Sequence, residues 1–364
     1  MKFRDLTIIF VCIIFYIFEI SPVMGQAGIR AQGRDINTPG GPNQQSQGQD
    51  PNLIKEINHA QEMRKFIIKI SRFTRKLNPN FIVIVKDGFG LLEKPNFNDT
   101  TTASPAYTYL KSIDGLLISG LNFRPPVPGR DEIKTDNNIK QYLIRLSKLA
   151  KKRGISIWVK DYAPNSQIAK DSVTLNNVNN FITFTAKFDG NIFDRIPDFP
   201  VRPINENPHN VDGIKGAKNF LYLTDTSRYE KAQDFMYSMS NTNFDAIVTD
   251  VFHKGRAPFN KNIVRGLGFK KVGAKRLVLA QMNIGAADSS SYYWKPGWRQ
   301  GQPVYINEPT PGNPDKYYVQ YWYKAWQDLI TSTPKSYVYG IFKQGFDGVV
   351  ISGVNSYQFF EGSE

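Results

Sequence analysis

The chain has 364 residues, 41% of them apolar and 13% aromatic, enough for one sizeable core and too apolar for a disordered or fibrous protein. Its formal charge is +14, a balance that favours anionic surfaces, but the cations are dispersed and no nucleic-acid-binding module is recognisable, so nucleic acid is not an expected partner. One cysteine, Cys12, and three scattered histidines, His59, His209 and His253, leave little from which to build a disulfide, a zinc site or a Ser-His-Asp triad; no cofactor or metal is expected.

Met1 to Gly25 reads as a secretory signal peptide: Lys2 and Arg4 precede an apolar run from Leu6 to Phe18, and Val23 and Gly25 offer residues for cleavage. An uncleaved anchor is the alternative, although the run is short for a span and Glu19 interrupts its end. Removing the segment takes away two basic and two acidic residues and leaves the charge unchanged. The expected location is therefore secreted or periplasmic, with no further membrane segment. Residues 26–52, rich in Gly, Gln, Asn and Pro, read as a flexible tether, and one globular domain is expected over 53–362.

Within that domain, Ile54 to Leu77 places Met63, Phe66, Ile70, Phe73 and Leu77 at helical spacing. Phe81 to Val85 follows as a continuous apolar run, the pattern of a parallel strand covered on both faces. The alternation continues with a strand at Gly115 to Ile118, a helix at Ile139 to Lys152 with Gly154 at its C-cap, and a strand at Ile155 to Val159. Phe181 to Thr185, Asn219 to Leu223, Ala246 to Thr249, Leu277 to Ala280 and Gly348 to Ile351 read as further strands, and Tyr229 to Met239 as a helix. About eight strand and helix units predict an α/β fold, a (β/α)8 TIM barrel, with the doubly wound open sheet as runner-up. No glycine-rich phosphate loop follows any strand to favour the latter. The basic clusters Lys148, Lys151, Lys152, Arg153 and Lys270, Lys271, Lys275, Arg276 read as solvated helix ends.

A barrel builds its site from residues just past the C-terminal strand ends, which singles out Asp161, Asp250 and Asp288. Carboxylates at one rim supply the acid and the nucleophile or base of glycosidic cleavage, although aspartate is also a common helix cap and loop residue. His253, just after a strand, is a weaker candidate for ligand contact. The stretch Tyr292, Tyr293, Trp294 and Trp298, in a loop of Gly, Ser and Pro, reads as a platform for sugar rings, with Tyr321 and Trp322 as further candidates. For Val319, Trp322, Trp326 and Leu329, helical spacing also allows a core stripe.

These segments resemble the endo-α-1,4-polygalactosaminidase family of glycoside hydrolases. Gly285 to Trp294, GAADSSSYYW, is similar to the family's Gly-Glu-Ala-Glu-Asp-Tyr-Arg-x-Tyr-Trp; Tyr317 to Trp326, YYVQYWYKAW, and Gly345 to Tyr357, GFDGVVISGVNSY, match two more of its motifs, and Phe244 to Asp250, FDAIVTD, fits its strand ending in Asp. Ala60 to Arg75, Phe81 to Leu92 and Ile113 to Phe123 resemble segments that in the family come after the Gly-Phe-Asp-Gly strand, so the order is circularly permuted. A closed barrel accommodates the change because its first and last strands are neighbours; domain swapping or a piece of a tandem protein would give the same order. The resemblance implies hydrolysis of a galactosamine-type polysaccharide, with Asp250 and Asp288 as acid and nucleophile or base and Asp161 supporting. Three positions depart from it: Ala286, Ser352 and Ser119 stand where the family has carboxylates. That leaves altered or reduced hydrolysis, or a catalytically silent glycan-binding or envelope-associated barrel.

Overall fold

The computed structural model describes residues 57–96, 102–125, 133–186, 193–199 and 202–362. All of them belong to one compact unit, Glu56–Glu364, and the segments read as signal peptide and tether lie outside the described residues. Among the described residues no helix is long and apolar enough to cross a membrane.

Eight parallel strands form the core: β1 (Ile82–Lys86), β2 (Gly115–Ser119), β3 (Ser156–Tyr162), β4 (Ile182–Ala186), β5 (Leu221–Tyr222), β6 (Ala246–Thr249), β7 (Leu277–Asn283) and β8 (Gly348–Ser352). Each pairs with its neighbour in chain order, except that β4 and β5 share no ladder, and β8 returns to pair with β1. The sheet is thus a nearly closed (β/α)8 barrel. All eight expected strands are in it, because each is an apolar run that only a sheet covered on both faces can bury. The ring closes tightly at Gly348: a Cβ there would lie 2.3 Å from the Ile82 carbonyl oxygen.

The helices surround the ring. α1 (His59–Leu77) starts where the Asn58 side chain accepts from the Gln61 N–H at 2.7 Å, and buries Met63, Phe66, Ile67 and Ile70. α2 (Asn137–Lys151) is capped by Asp136, and Gly154 beyond its end takes φ +79°, a conformation open to glycine at little cost. α3 (Ser166–Asn177), α4 (Ala232–Ser240) and α5 (Lys261–Leu267) follow β3, β5 and β6. Between β4 and β5 the described residues hold only a 3-10 turn at Ile214–Gly216.

After β7 comes an insertion that periodicity did not announce, a three-stranded antiparallel sheet of Ala286–Asp288, Ile306–Thr310 and Asn313–Val319. α6 (Lys324–Ile330), α7 (Tyr337–Gln344), β8 and α8 (Ser356–Glu361) complete the unit. α8 packs on the start of α1, where His59 meets Phe360 at 5.6 Å and the Tyr321 hydroxyl donates to the His59 carbonyl at 2.9 Å.

In the basic cluster at 270–276, Lys271 and Lys275 are exposed as expected of a solvated helix end, whereas Lys270 and Arg276 are buried. Lys270 and Asp245 are both fully buried and pair at 2.5 Å, and the same ammonium donates to the carbonyls of Asn207 and His209. Arg276 is buried as well, donating to the carbonyls of Met239 and Phe269. This cluster lies at the N-terminal ends of β6 and β7, away from the mouth. Removing one partner of a dry ion pair strands the other, so Lys270→Met should lower unfolding free energy by about 3–5 kcal/mol, read by urea denaturation.

Candidate functional site

Side chains of a strand alternate, and β3 shows which way each set points. The Trp158 ring packs on Phe220 at 4.6 Å, within the ring of strands, so Trp158, Lys160 and Tyr162 face inward. Asp161 faces outward into the α3 layer. Its Oδ1 accepts from the Asn122 N–H at 2.9 Å, and its Oδ2 from the Ser172 hydroxyl at 2.8 Å and the Asn176 amide at 3.0 Å. It is fully buried, and donors surround its carboxylate. In this position Asp161 ties the β2–α2 connection to α3, and it is not among the residues that line the cleft holding Asp250 and Asp288.

Asp250 and Asp288 do meet. Both line one cleft of about 280 Å³ at the C-terminal end of the barrel, together with Gln281, Lys316, Tyr293 and Tyr337. Asp250 arrives on the end of β6, where its Oδ1 accepts from the Val251 N–H at 2.6 Å. Burial pushes its carboxyl up to about 6; the neighbouring charge of Asp225 adds to this, and the backbone N–H groups of Val251 and Phe252 work against it. Asp288 belongs to the insertion, opposite Lys316 across the ladder, and its Oδ1 accepts from the Ser290 N–H at 2.9 Å and hydroxyl at 2.6 Å.

The insertion is anchored at the top of β7. The Asn283 side chain accepts from the N–H groups of Gly285 and Ala286 at 3.0 and 2.9 Å, and Trp326 donates to the Ile284 carbonyl at 2.9 Å. Gly285 has no room for a side chain, since a Cβ would lie 1.9 Å from the Gly353 carbonyl oxygen.

The aromatic platform divides. Tyr293 lines the cleft, and Tyr292, 53% exposed, packs edge-on against it with ring centroids 5.4 Å apart. Trp294 stacks on Tyr317 at 5.4 Å and Trp298 packs edge-on to Tyr305 at 5.9 Å, so both brace the insertion. Tyr321 is fully buried, and Trp322 packs between His59 and Phe360. Both, expected on a sugar surface, sit in the seam between α1, α8 and the residues leading into α6 and do not line the cleft. His253 donates from Nε2 to the Glu230 carbonyl at 3.2 Å and does not line the cleft.

Several mouth residues went unread in the sequence. Tyr337, on α7, packs 5.3 Å from Tyr292, and burial holds its phenol well above its ordinary range, with Asp250 adding to the effect. Lys86 ends β1 and pairs with Asp87 at 3.0 Å; Asp87 in turn accepts from the Ser119 N–H at 2.7 Å. Lys160 carries its ammonium nitrogen among the rings of Phe193, Tyr222 and Tyr162, at 3.8, 4.4 and 5.1 Å. The Tyr222 hydroxyl donates to Gln281, which lines the cleft. A lysine inside an apolar strand, as in IVIVK and SIWVKDY, was the available signal.

Ser352 donates to the Met282 carbonyl at 3.2 Å, whereas the buried Ser119 hydroxyl has no partner among the described residues. Grooves of about 550 and 630 Å³ on the helical flank are larger than the cleft, but they are lined by cations without carboxylates and lie away from the strand ends.

No family model matches the chain. It is 32% identical over 89 residues to an uncharacterized protein of Thermotoga maritima, covering 24% of this chain and 26% of that one. It is 29% identical over 126 residues to an uncharacterized protein of Deinococcus radiodurans, 35% and 38% of the two chains. An uncharacterized protein of Methanocaldococcus jannaschii is 26% identical over 184 residues, 49% and 50%. The matches thus span from about a quarter to half the length of these curated relatives. Among solved structures, a chitinase from Bacteroides thetaiotaomicron aligns with a TM-score of 0.37 and 10% identity over 76% of this chain and 90% of that chain.

The raised carboxyl of Asp250 has a consequence for stability. The folded protein keeps this proton until about pH 6, whereas the unfolded chain releases it near 3.8, so stability falls as pH rises between those values. Asp250→Asn should remove that decline, raising stability by about 2–3 kcal/mol at pH 7.5 and little at pH 4, measured by denaturation at both.

Proposed function

We propose that the cleft binds a polysaccharide and cleaves it, with Asp250 as general acid and Asp288 as nucleophile or water-activating base. The observation that carries this reading is the pair itself: two carboxyls on different elements line one cleft, and one of them holds its proton to about pH 6. Protonated Asp250 donates to the departing glycosidic oxygen. Asp288 attacks the anomeric carbon or takes a proton from the attacking water. Tyr293 and Tyr337 line the same cleft and offer ring faces and hydroxyls to the sugar.

The finer substrate reading, a galactosamine-type polymer, rests on the motif resemblance at Gly285–Trp294 and Gly345–Tyr357. The permuted order relative to that family fits a ring in which β1 and β8 are paired neighbours. Action outside the cytoplasm belongs to the same proposal and rests on the signal-like Met1 to Gly25. A second reading, a catalytically silent glycan binder, is favoured by Ala286, Ser352 and Ser119, since neither a methyl nor a hydroxyl replaces a carboxylate in charge stabilisation or proton donation.

The two readings separate in one assay, release of reducing ends from partly deacetylated polygalactosamine and a wide glycan panel. Hydrolysis should decline as pH rises through about 6, where Asp250 loses its proton, and Asp250→Asn and Asp288→Asn should each cost roughly 100-fold or more in kcat. Absence of any release by the wild-type protein sinks the enzymatic reading. A large gain on combining Ala286→Glu with Ser352→Asp then supports the silent one, and efficient wild-type turnover ends it.

A further inference from the structure

Lysines 86, 160 and 316 gather at the mouth, and among the described residues Lys160 has no ion pair there. Lys86 has Asp87. Lys316 lines the cleft on the insertion; burial pulls its ammonium down, the nearby Asp288 offsets this, and Lys86 adds to the lowering. Lys160 is 2% exposed and, among the described residues, makes no hydrogen bond or ion pair; its nitrogen has only the faces of three rings. The titratable groups around it are Lys86 and Asp87 from β1, Tyr162 from β3 and Tyr222 from β5. Burial pulls Lys160 well below its ordinary value, and Lys86 lowers it further against the opposing pull of Asp87.

A buried amine without a counter-ion costs stability that a methionine of similar length would not. Among the described residues Asp87, already paired with Lys86, is the anion that acts on Lys160, and the neighbouring inward positions Ser119 and Ser352 carry no charge. Gln281 and Tyr222 connect this lysine layer to the carboxylate-lined cleft through their shared hydrogen bond.

We propose that the mouth contains a subsite for a carboxylate-bearing sugar, a uronic acid unit, whose anion is held by Lys160 together with Lys86 and Lys316. The proposal rests on the glycan-cleft reading and changes its substrate class from an amine-bearing polymer to an acidic one, which a chain of +14 attracts rather than repels. The arriving carboxylate supplies the Lys160 ammonium with a counter-ion in a site shielded from water.

The test uses the full chain and calorimetric titration at pH 7 with two probes, tetragalacturonate and the neutral tetramer of N-acetylglucosamine. The acidic tetramer should bind at least about 10-fold more tightly. In Lys160→Met the preference should vanish while the Tm rises. Lys316→Gln, on the insertion outside the barrel interior, should weaken the acidic tetramer more than the neutral one. Equal binding of the two probes by the wild-type protein, or binding of neither, overturns the proposal and leaves the glycan cleft to the reducing-end assay. Retained preference in Lys160→Met, or a lowered Tm, assigns Lys160 a packing role and also overturns it.

Discussion

β8 and β1 run side by side with Ile82 opposite Gly348 and Ile84 opposite Val350, and their pairing turns a row of strands into a ring. It depends on the missing side chain at Gly348, because any Cβ there would press into the Ile82 carbonyl. Closure then sets everything above it. Parallel strands in a ring all end on the same side, so residues distant in the chain, such as Lys86, Asp250 and Gln281, arrive at one mouth. The insertion after β7 adds Asp288 and Lys316 from above, held down by Asn283 and Trp326.

Desolvation gives that mouth its character. It acts against charge of either sign, raising the carboxyl of Asp250 and lowering the ammonium groups of Lys160 and Lys316. An acid that keeps its proton and amines that resist one therefore share the C-terminal end of the barrel. The opposite end handles charge differently: Lys270 and Asp245 are no less buried, but they find each other and two carbonyls, a stabilising arrangement with nothing left to offer a ligand.

Most of the aromatic density serves assembly rather than recognition. Trp326 receives Tyr293 edge-on, Trp294 stacks on Tyr317, and Tyr321, Trp322 and Phe360 close over His59, joining the two ends of the folded unit. Flat rings fill wide gaps between elements that meet at irregular angles, such as the insertion and the barrel top. Among the described residues Tyr293 and Tyr337 line the cleft beside the carboxylate pair, with Tyr292 packed against both.

The eight strands, the first helix and the strand-end position of Asp250 were determined by the sequence alone, because a buried parallel strand is an uninterrupted apolar run and its C-terminal end is a local property of the chain. Which way a strand-end side chain points was not local. Asp161 and Lys160 are adjacent in the chain, and only the packing of Trp158 inside the ring decides that the lysine enters the mouth while the aspartate is sealed against Asn122, Ser172 and Asn176. The same holds for Tyr321 and Trp322, whose partners lie more than 200 residues earlier on α1, and for Lys270, whose partner sits 25 residues away across a strand and a helix. Partners that far apart in sequence meet only once the ring has closed, so their pairing belongs to tertiary structure.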